Sequence, residues 1–232
     1  MMLKFFTQEA GLVAFMSDGS IDFTPTDFDA PLSAGQQHYL KQATGIAIPQ
    51  VFWRKQVHGD TILDVNWEQR SSPQFLDADA YITNEKNLPI AIRTADCVPV
   101  FLVDPHQRVI GLAHAGWKGT LAQITLKTVK RMMESYGSNP QDIKAVIAPS
   151  IGSCCYEVGK EFNTYFPKNI IVRDNKFYAD VAGVNYQQLL AAGLLPEHII
   201  KHTDCTYCGN NYHSFRRDGA QSGRMISLMM IR

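Results

Sequence analysis

The sequence predicts an α+β fold, a sandwich of mixed β-sheets flanked by helices. Short strand-like runs crowd the first half of the chain, helical patterns are few, and helices do not cleanly separate the strand runs. That last feature argues against a doubly wound parallel sheet, in which strands and helices alternate. The 232 residues suffice to bury a substantial core, and no internal repeat or low-complexity tract divides them. One domain over residues 1–232 is expected.

The strand runs, in order, are residues 11–16, 51–57, 60–65, 78–83, 89–93, 99–103, 109–113, 143–148 and 226–231. They are short and mostly apolar, with frequent β-branched residues. Helices are expected over 33–44, stopping at Gly45, and over 121–136, where Leu121, Ile124, Leu126, Val129, Met132 and Met133 recur near a 3.6-residue period before Gly137. A shorter helix over 159–166 is ended by Pro167, and one over 181–192 has Gly193 as its C′ residue. Residues 66–77, with Ser71, Ser72 and Pro73, read as a polar loop.

Composition excludes some functions. Apolar residues make up 45% and charged residues 19%, as in ordinary globular proteins. Lys plus Arg (22) balances Asp plus Glu (22), so a neutral chain without a basic run carries no electrostatic footprint for nucleic acid or for a membrane surface. The apolar start of the chain is short and broken by Gln8, Glu9 and Asp18, unlike a secretory signal or a membrane span. A cytoplasmic location is expected. Five cysteines, an odd number in a chain this long, argue against a disulfide framework.

Three segments place reactive side chains where a strand-like run ends: KQVHG (55–59), RTADCVPV (93–100) and HAGWKG (114–119). Loops on a rigid sheet are where functional groups concentrate. His58, Cys97 and His114 together make a sound zinc set, because zinc takes nitrogen and sulfur ligands together. Three protein ligands with one open position is the catalytic pattern. Spacing alone does not select these three from five cysteines and seven histidines.

KQVHG, TADCVPV, HAGWKG, APSIGSCCYEVG and SFRRDGAQSGRM occur in that order. Together they closely resemble the multicopper polyphenol oxidoreductase (laccase-domain) family, the YfiH-like proteins, over about residues 51–232. The resemblance implies an α+β sandwich related to a toxin deamidase fold, with zinc bound by His58, Cys97 and His114. It implies a purine nucleoside phosphorylase acting on adenosine, inosine, guanosine and methylthioadenosine, with adenosine deaminase activity: a transferase and hydrolase whose partners are a small-molecule nucleoside and phosphate. Members usually carry a segment like GFSTRxGGVS near the start. Here residues 12–21 read LVAFMSDGSI, so no substrate contact is carried over from that stretch.

Other groups have two readings each. Asp96 is expected to orient a water or a ligand histidine, or simply to make a turn. Gln56 and Lys55 flank His58 and are expected to reach substrate. Arg216, Arg217 and Arg224 suit bidentate phosphate contact, or belong to a surface hairpin. Trp117 stacks on a base or fills the core. Ser150 and Gly152 are expected to offer amides to an anion beside Cys154 and Cys155. HTDCTYC (202–208) contains H-x2-C-x2-C, half of a structural zinc site, and C-x-x-C, a redox pair, but no second C-x-x-C follows. Alternative functions are a copper-dependent polyphenol oxidase, with copper as the cofactor, an amide-hydrolysing editing enzyme, or a non-catalytic zinc-binding interaction module. A laccase needs many histidine ligands, and only two of the seven histidines lie in strong motifs.

Overall fold

A computed structural model describes residues 2–24, 31–70 and 77–232. The expected α+β sandwich is present. Its larger sheet has six strands, β3 (Ile62–Asp64), β4 (Ala80–Thr83), β6 (Val98–Asp104), β7 (Val109–Ala115), β8 (Lys144–Ile147) and β12 (Ile199–Lys201), in the order β12-β8-β6-β7-β4-β3. The inner pairs are antiparallel, while β12 on β8 and β3 on β4 run parallel, so the sheet is mixed. The second sheet is antiparallel and joins β1 (Leu3–Lys4), β2 (Leu12–Met16), β13 (Met225–Ile231) and β5 (Ile90–Thr94). A third, antiparallel sheet holds β9 (Glu157–Val158), β10 (Ile170–Arg173) and β11 (Lys176–Ala179).

Strand alternation builds the layers. Along β6, Val98, Val100 and Leu102 pack with Val129, Met132 and Leu189, which come from α4 (Ile124–Tyr136) and α6 (Val181–Ala191). Phe101 and Val103 point the other way and pack with Ile92, Met225 and Met229 of the second sheet. On β13 the opposite parity, Ile226, Leu228 and Met230, packs under Leu40 and Ala43 of α1 (Ala34–Thr44). The chain therefore stacks helix, sheet, sheet, helix. Each buried aliphatic or aromatic side chain contributes roughly 1.5–3 kcal/mol.

Several helices follow their sequence signals. Ser33 caps α1, with Gln36 completing a reciprocal capping box, and Gly45 ends it at φ 75°. Asp180 caps α6 through the Gly183 amide, and Gly193 follows the helix at φ 100°. Over 159–166 only α5 (Phe162–Tyr165) is helical, and within 66–77 a short α2 (Trp67–Arg70) forms, while 71–76 lie outside the described residues.

Two expectations are corrected. The helix expected over 121–136 is broken: α3 (Trp117–Leu121) ends before Gln123, whose φ of 64° is left-handed, and α4 starts afresh at Ile124. Side chains on α6 stabilise the break, since Gln188 Nε2 donates to the Thr120 carbonyl at 2.7 Å and Asn185 Nδ2 donates to Thr120 Oγ1 at 2.9 Å. The run 51–57 is buried over 51–54 but is not a strand. Phe52 makes one isolated bridge to Ile90, and further along the Gln56 side chain replaces the ladder by bonding both the N–H and the C=O of Arg93. The hairpin β10–β11 has no counterpart among the expected strand runs. Its turn residues Asp174 and Asn175 both have positive φ, as a two-residue primed turn requires, but Ile171 and Val172 are exposed and give no burial pattern.

Candidate metal centre and active-site cleft

The three signalled segments meet at one end of the sandwich. His114 lies near the end of β7, Cys97 immediately precedes β6, and His58 sits on the loop before β3. Their ligand atoms all lie within 4.8 Å of one another. The rings of His58 and His114 meet edge to face, with centroids 4.8 Å apart.

Asp79, fully buried, organises this meeting. Its Oδ1 bonds His114 Nδ1 at 2.7 Å and accepts the His58 amide at 2.9 Å, while Oδ2 accepts the Gly59 amide at 2.8 Å and the Val57 amide at 3.2 Å. One carboxylate thus fixes the imidazole of His114 and the backbone turn that carries His58, whose φ is 60°. With Nδ1 engaged, His114 has Nε2 for a ligand. A carboxylate behind a metal-binding histidine fixes its tautomer and raises its basicity.

Glycines let the segments close on each other. A Cβ on Gly116 would stand 2.8 Å from His58 Cδ2 and 3.2 Å from Cys97 Sγ. A Cβ on Gly119 would stand 2.7 Å from the Gly59 carbonyl oxygen.

The electrostatics suit a thiolate. Burial raises the Cys97 pKa, but His114 and His58 outweigh it through charge and hydrogen bonds and bring it down to about 6. Burial lowers the His114 pKa, and the Cys97 thiolate and Asp79 reverse this, pushing it up to about 9. Burial likewise opposes the charged form of Asp79, yet the His114 and backbone hydrogen bonds hold its pKa below the ordinary value. Two imidazoles and a thiolate in tetrahedral reach are a donor set that fits zinc.

The three residues border a cleft of about 630 Å³. Trp117, Tyr156 and Phe215 supply aromatic wall, and Arg93, Arg216 and Arg224 supply positive charge. Arg216 lies over the Tyr156 ring at 5.0 Å and donates through Nη1 to the Glu157 carbonyl at 2.8 Å. Arg224 donates through Nη1 to the carbonyls of Ser222 at 2.6 Å and Gly223 at 2.9 Å. The segment carrying Arg216 and Arg217 is a short helix, α7 (Phe215–Asp218), rather than a hairpin.

The remaining candidates fall around the cleft in other ways. The Asp96 carboxylate borders it but accepts the Thr206 hydroxyl at 2.7 Å and the Arg216 amide at 2.6 Å, so it braces the loop ahead of α7. The Gln56 amide also borders the cleft while bonding the Arg93 backbone on both sides. Trp117 packs on Phe162 and Tyr165 and keeps an edge on the cleft. Arg217 turns away to the carbonyls of Thr206, Tyr207, Gly209 and Tyr212. The Gly152 amide is not offered to an anion; it donates to Cys205 Sγ at 3.2 Å. Sequence reasoning missed Asp79, Arg93, Tyr156 and Phe215. Asp79 stands in an ordinary DADAY alternation, and its partners are 20 to 35 residues away in the chain.

Residues 5–232 match the family described as multi-copper polyphenol oxidoreductase laccase. The chain belongs to this family. Like this laccase-family chain, a purine nucleoside phosphorylase of Aquifex aeolicus is a relative, 36% identical over 176 residues, which cover 76% of the chain and 81% of the relative. A purine nucleoside phosphorylase of Deinococcus radiodurans is 32% identical over 234 residues, covering 97% and 87%. An adenosine deaminase from an unknown prokaryotic organism is 35% identical over 159 residues, covering 64% and 60%. Among solved structures, Bacillus licheniformis YfiH superposes with a TM-score of 0.86 at 28% identity, covering 100% of this laccase-family chain and 96% of that one.

Proposed function

We propose that this chain is a zinc-dependent purine nucleoside phosphorylase, acting on adenosine, inosine, guanosine and methylthioadenosine, with adenosine deaminase activity. The observation that carries the reading is the convergence of His58, Cys97 and His114, with His114 and the His58 amide held by Asp79, on a cleft lined by both aromatic rings and arginines. Bound there by His58, Cys97 and His114, zinc supplies Lewis-acid polarisation of an oxygen ligand.

Phosphorolysis joins a phosphate oxygen to C1′ of the ribose while the bond to the base breaks. Its barrier falls when the anion is aimed and the departing base is held. Among the described residues, Arg93, Arg216 and Arg224 are the arginines that line the cleft, and a guanidinium matches two phosphate oxygens at once. Tyr156, Phe215 and the edge of Trp117 bring aromatic surface into the cleft for a purine to pack on. Deamination uses water instead of phosphate, with C6 of adenine as the carbon attacked. Both reactions fit one cleft because they share the purine seat; they differ in the nucleophile, in the carbon attacked and in the leaving group, which is the base in one and ammonia in the other.

Copper oxidation of phenols is the weaker reading. A multicopper centre needs many imidazoles, and of the seven histidines only His58 and His114 join a metal-ligating group among the described residues.

The test incubates zinc-loaded protein with adenosine, inosine or methylthioadenosine, with and without phosphate, and separates free base, ribose 1-phosphate and deaminated product. Phosphate-dependent base release is the expected result. No base release and no deamination by protein with its zinc bound would overturn the reading.

A further inference from the structure

A second group of metal-binding side chains lies away from the cleft floor. Cys154, Cys155, Cys205 and Cys208 come from two loops about fifty residues apart, yet their Sγ atoms all lie within 4.8 Å of one another. Cys154 Sγ and Cys208 Sγ are 3.8 Å apart. A tetrahedral zinc with Zn–S bonds of about 2.3 Å has sulfur–sulfur edges of about 3.8 Å. We infer that these four thiols form a structural zinc site, separate from the His58–Cys97–His114 centre.

The backbone around Cys205 is built for a thiolate. CTYCG (205–209) folds as a tight turn in which the Gly209 amide donates to the Cys205 carbonyl at 2.9 Å. The Gly152 amide donates to Cys205 Sγ at 3.2 Å. An N–H donor on a sulfur favours its anionic, metal-binding form. Both approaches are close, and at 209 only glycine fits without a backbone shift. A Cβ on Gly209 would stand 2.8 Å from the Cys205 carbonyl oxygen, and one on Gly152 would stand 3.1 Å from Cys154 Sγ. A parallel bridge between Ser150 and Cys205 joins the two loops directly.

Four thiolates around a divalent ion leave a net charge of −2, which needs cations nearby. Two arginines bind these loops, one to each. Arg173 Nη2 donates to the carbonyls of Ser153 (2.8 Å) and Cys154 (3.1 Å). Arg217 Nη1 donates to the carbonyls of Thr206 (3.1 Å), Tyr207 (3.2 Å) and Gly209 (3.2 Å). Both guanidiniums thus tie down the ligand loops through their carbonyls, while Arg217 also pairs with Asp218 at 2.8 Å. His202, the first residue of H-x2-C-x2-C, is not part of the group: its ring packs edge-on against Phe5.

The site has a consequence for the cleft. The Cys154–Cys155 loop runs directly into Tyr156, and the Cys205–Cys208 loop reaches Arg216 through Thr206 and Asp96. A zinc ion clamping the loops would hold that wall of the cleft in place.

The full chain, purified under reducing conditions, is analysed for metal and then reconstituted anaerobically with cobalt. Two zinc equivalents per chain are expected. A variant carrying His58→Ala and Cys97→Ser is expected to keep one equivalent, with the cobalt spectrum of a tetrahedral all-thiolate site. Cys154→Ser with Cys208→Ser is expected to lose that equivalent and retain the other. The wild-type stoichiometry and cobalt spectrum stand even if a variant fails to fold. A single equivalent in the wild-type protein, with no all-thiolate cobalt bands, would overturn the inference, as would a Cys154–Cys208 disulfide trapped by blocking thiols at lysis. A single equivalent in the wild-type protein that gives all-thiolate cobalt bands would contradict the first centre and leave this one standing.

Discussion

Asp79 Oδ1 stands 2.7 Å from His114 Nδ1 and accepts the backbone amide of His58 at 2.9 Å. One buried carboxylate therefore orients a candidate ligand on β7 and the loop that carries another. Replacing it with Asn preserves shape but removes the charge and one acceptor. Asp79→Asn is expected to weaken zinc binding by about 10–100-fold, the usual effect of removing such a supporting partner. Competition titration with a zinc chelator measures this, and an unchanged affinity would show that Asp79 plays no part in holding the metal.

Gly116 touches both His58 and Cys97. An added methyl there would lie 2.8 Å from His58 Cδ2, inside van der Waals contact. Gly116→Ala is expected to destabilise the fold by roughly 1–3 kcal/mol, as overpacking does, and to lower zinc occupancy at this centre. Thermal melts and metal analysis read the two effects separately.

The metal-free protein should carry an unusually acidic thiol. His114 and His58 overcome burial and hold Cys97 to about 6, against about 8.5 for a free cysteine. A thiolate is the reactive form, so alkylation of Cys97 should rise with pH through a midpoint near 6. Peptide mapping after brief iodoacetamide treatment follows this site apart from the other four cysteines. Zinc should protect Cys97, and a midpoint above 8 in the apo protein would contradict the geometry.

Arg216 and Arg224 reach the cleft from opposite sides of one motif, SFRRDGAQSGR. If they aim phosphate, Arg224→Ala should raise the phosphate KM about tenfold or more, since a charge-assisted hydrogen bond contributes about 1.5–3 kcal/mol. The nucleoside KM should move less. Arg216→Lys should not restore the wild-type value, because an ammonium cannot make the paired contact of a guanidinium. Equal effects on both substrates would place these arginines in the scaffold instead.

The sandwich itself was readable because its signals are local. The apolar strand runs β6, β7 and β13 and the cap residues Ser33 and Gly45 lie within a few residues of the structure they specify. The three candidate ligands were readable from ordered motifs rather than from spacing. What escaped was non-local. Asp79 acts on groups far away in the chain, the break at Gln123 is stabilised by side chains on α6, and Gln56 completes a pairing that the backbone of 51–57 does not. The four clustered cysteines looked like one vicinal pair and one isolated C-x-x-C because only the fold brings the two loops together.

The most direct test of the central claim compares wild-type protein with His58→Ala, after metal analysis of both, for phosphate-dependent release of adenine from adenosine. Wild type is expected to release adenine and ribose 1-phosphate, and His58→Ala to lose one zinc equivalent together with that activity. Undiminished adenine release by His58→Ala, or none by fully zinc-loaded wild type, would contradict it.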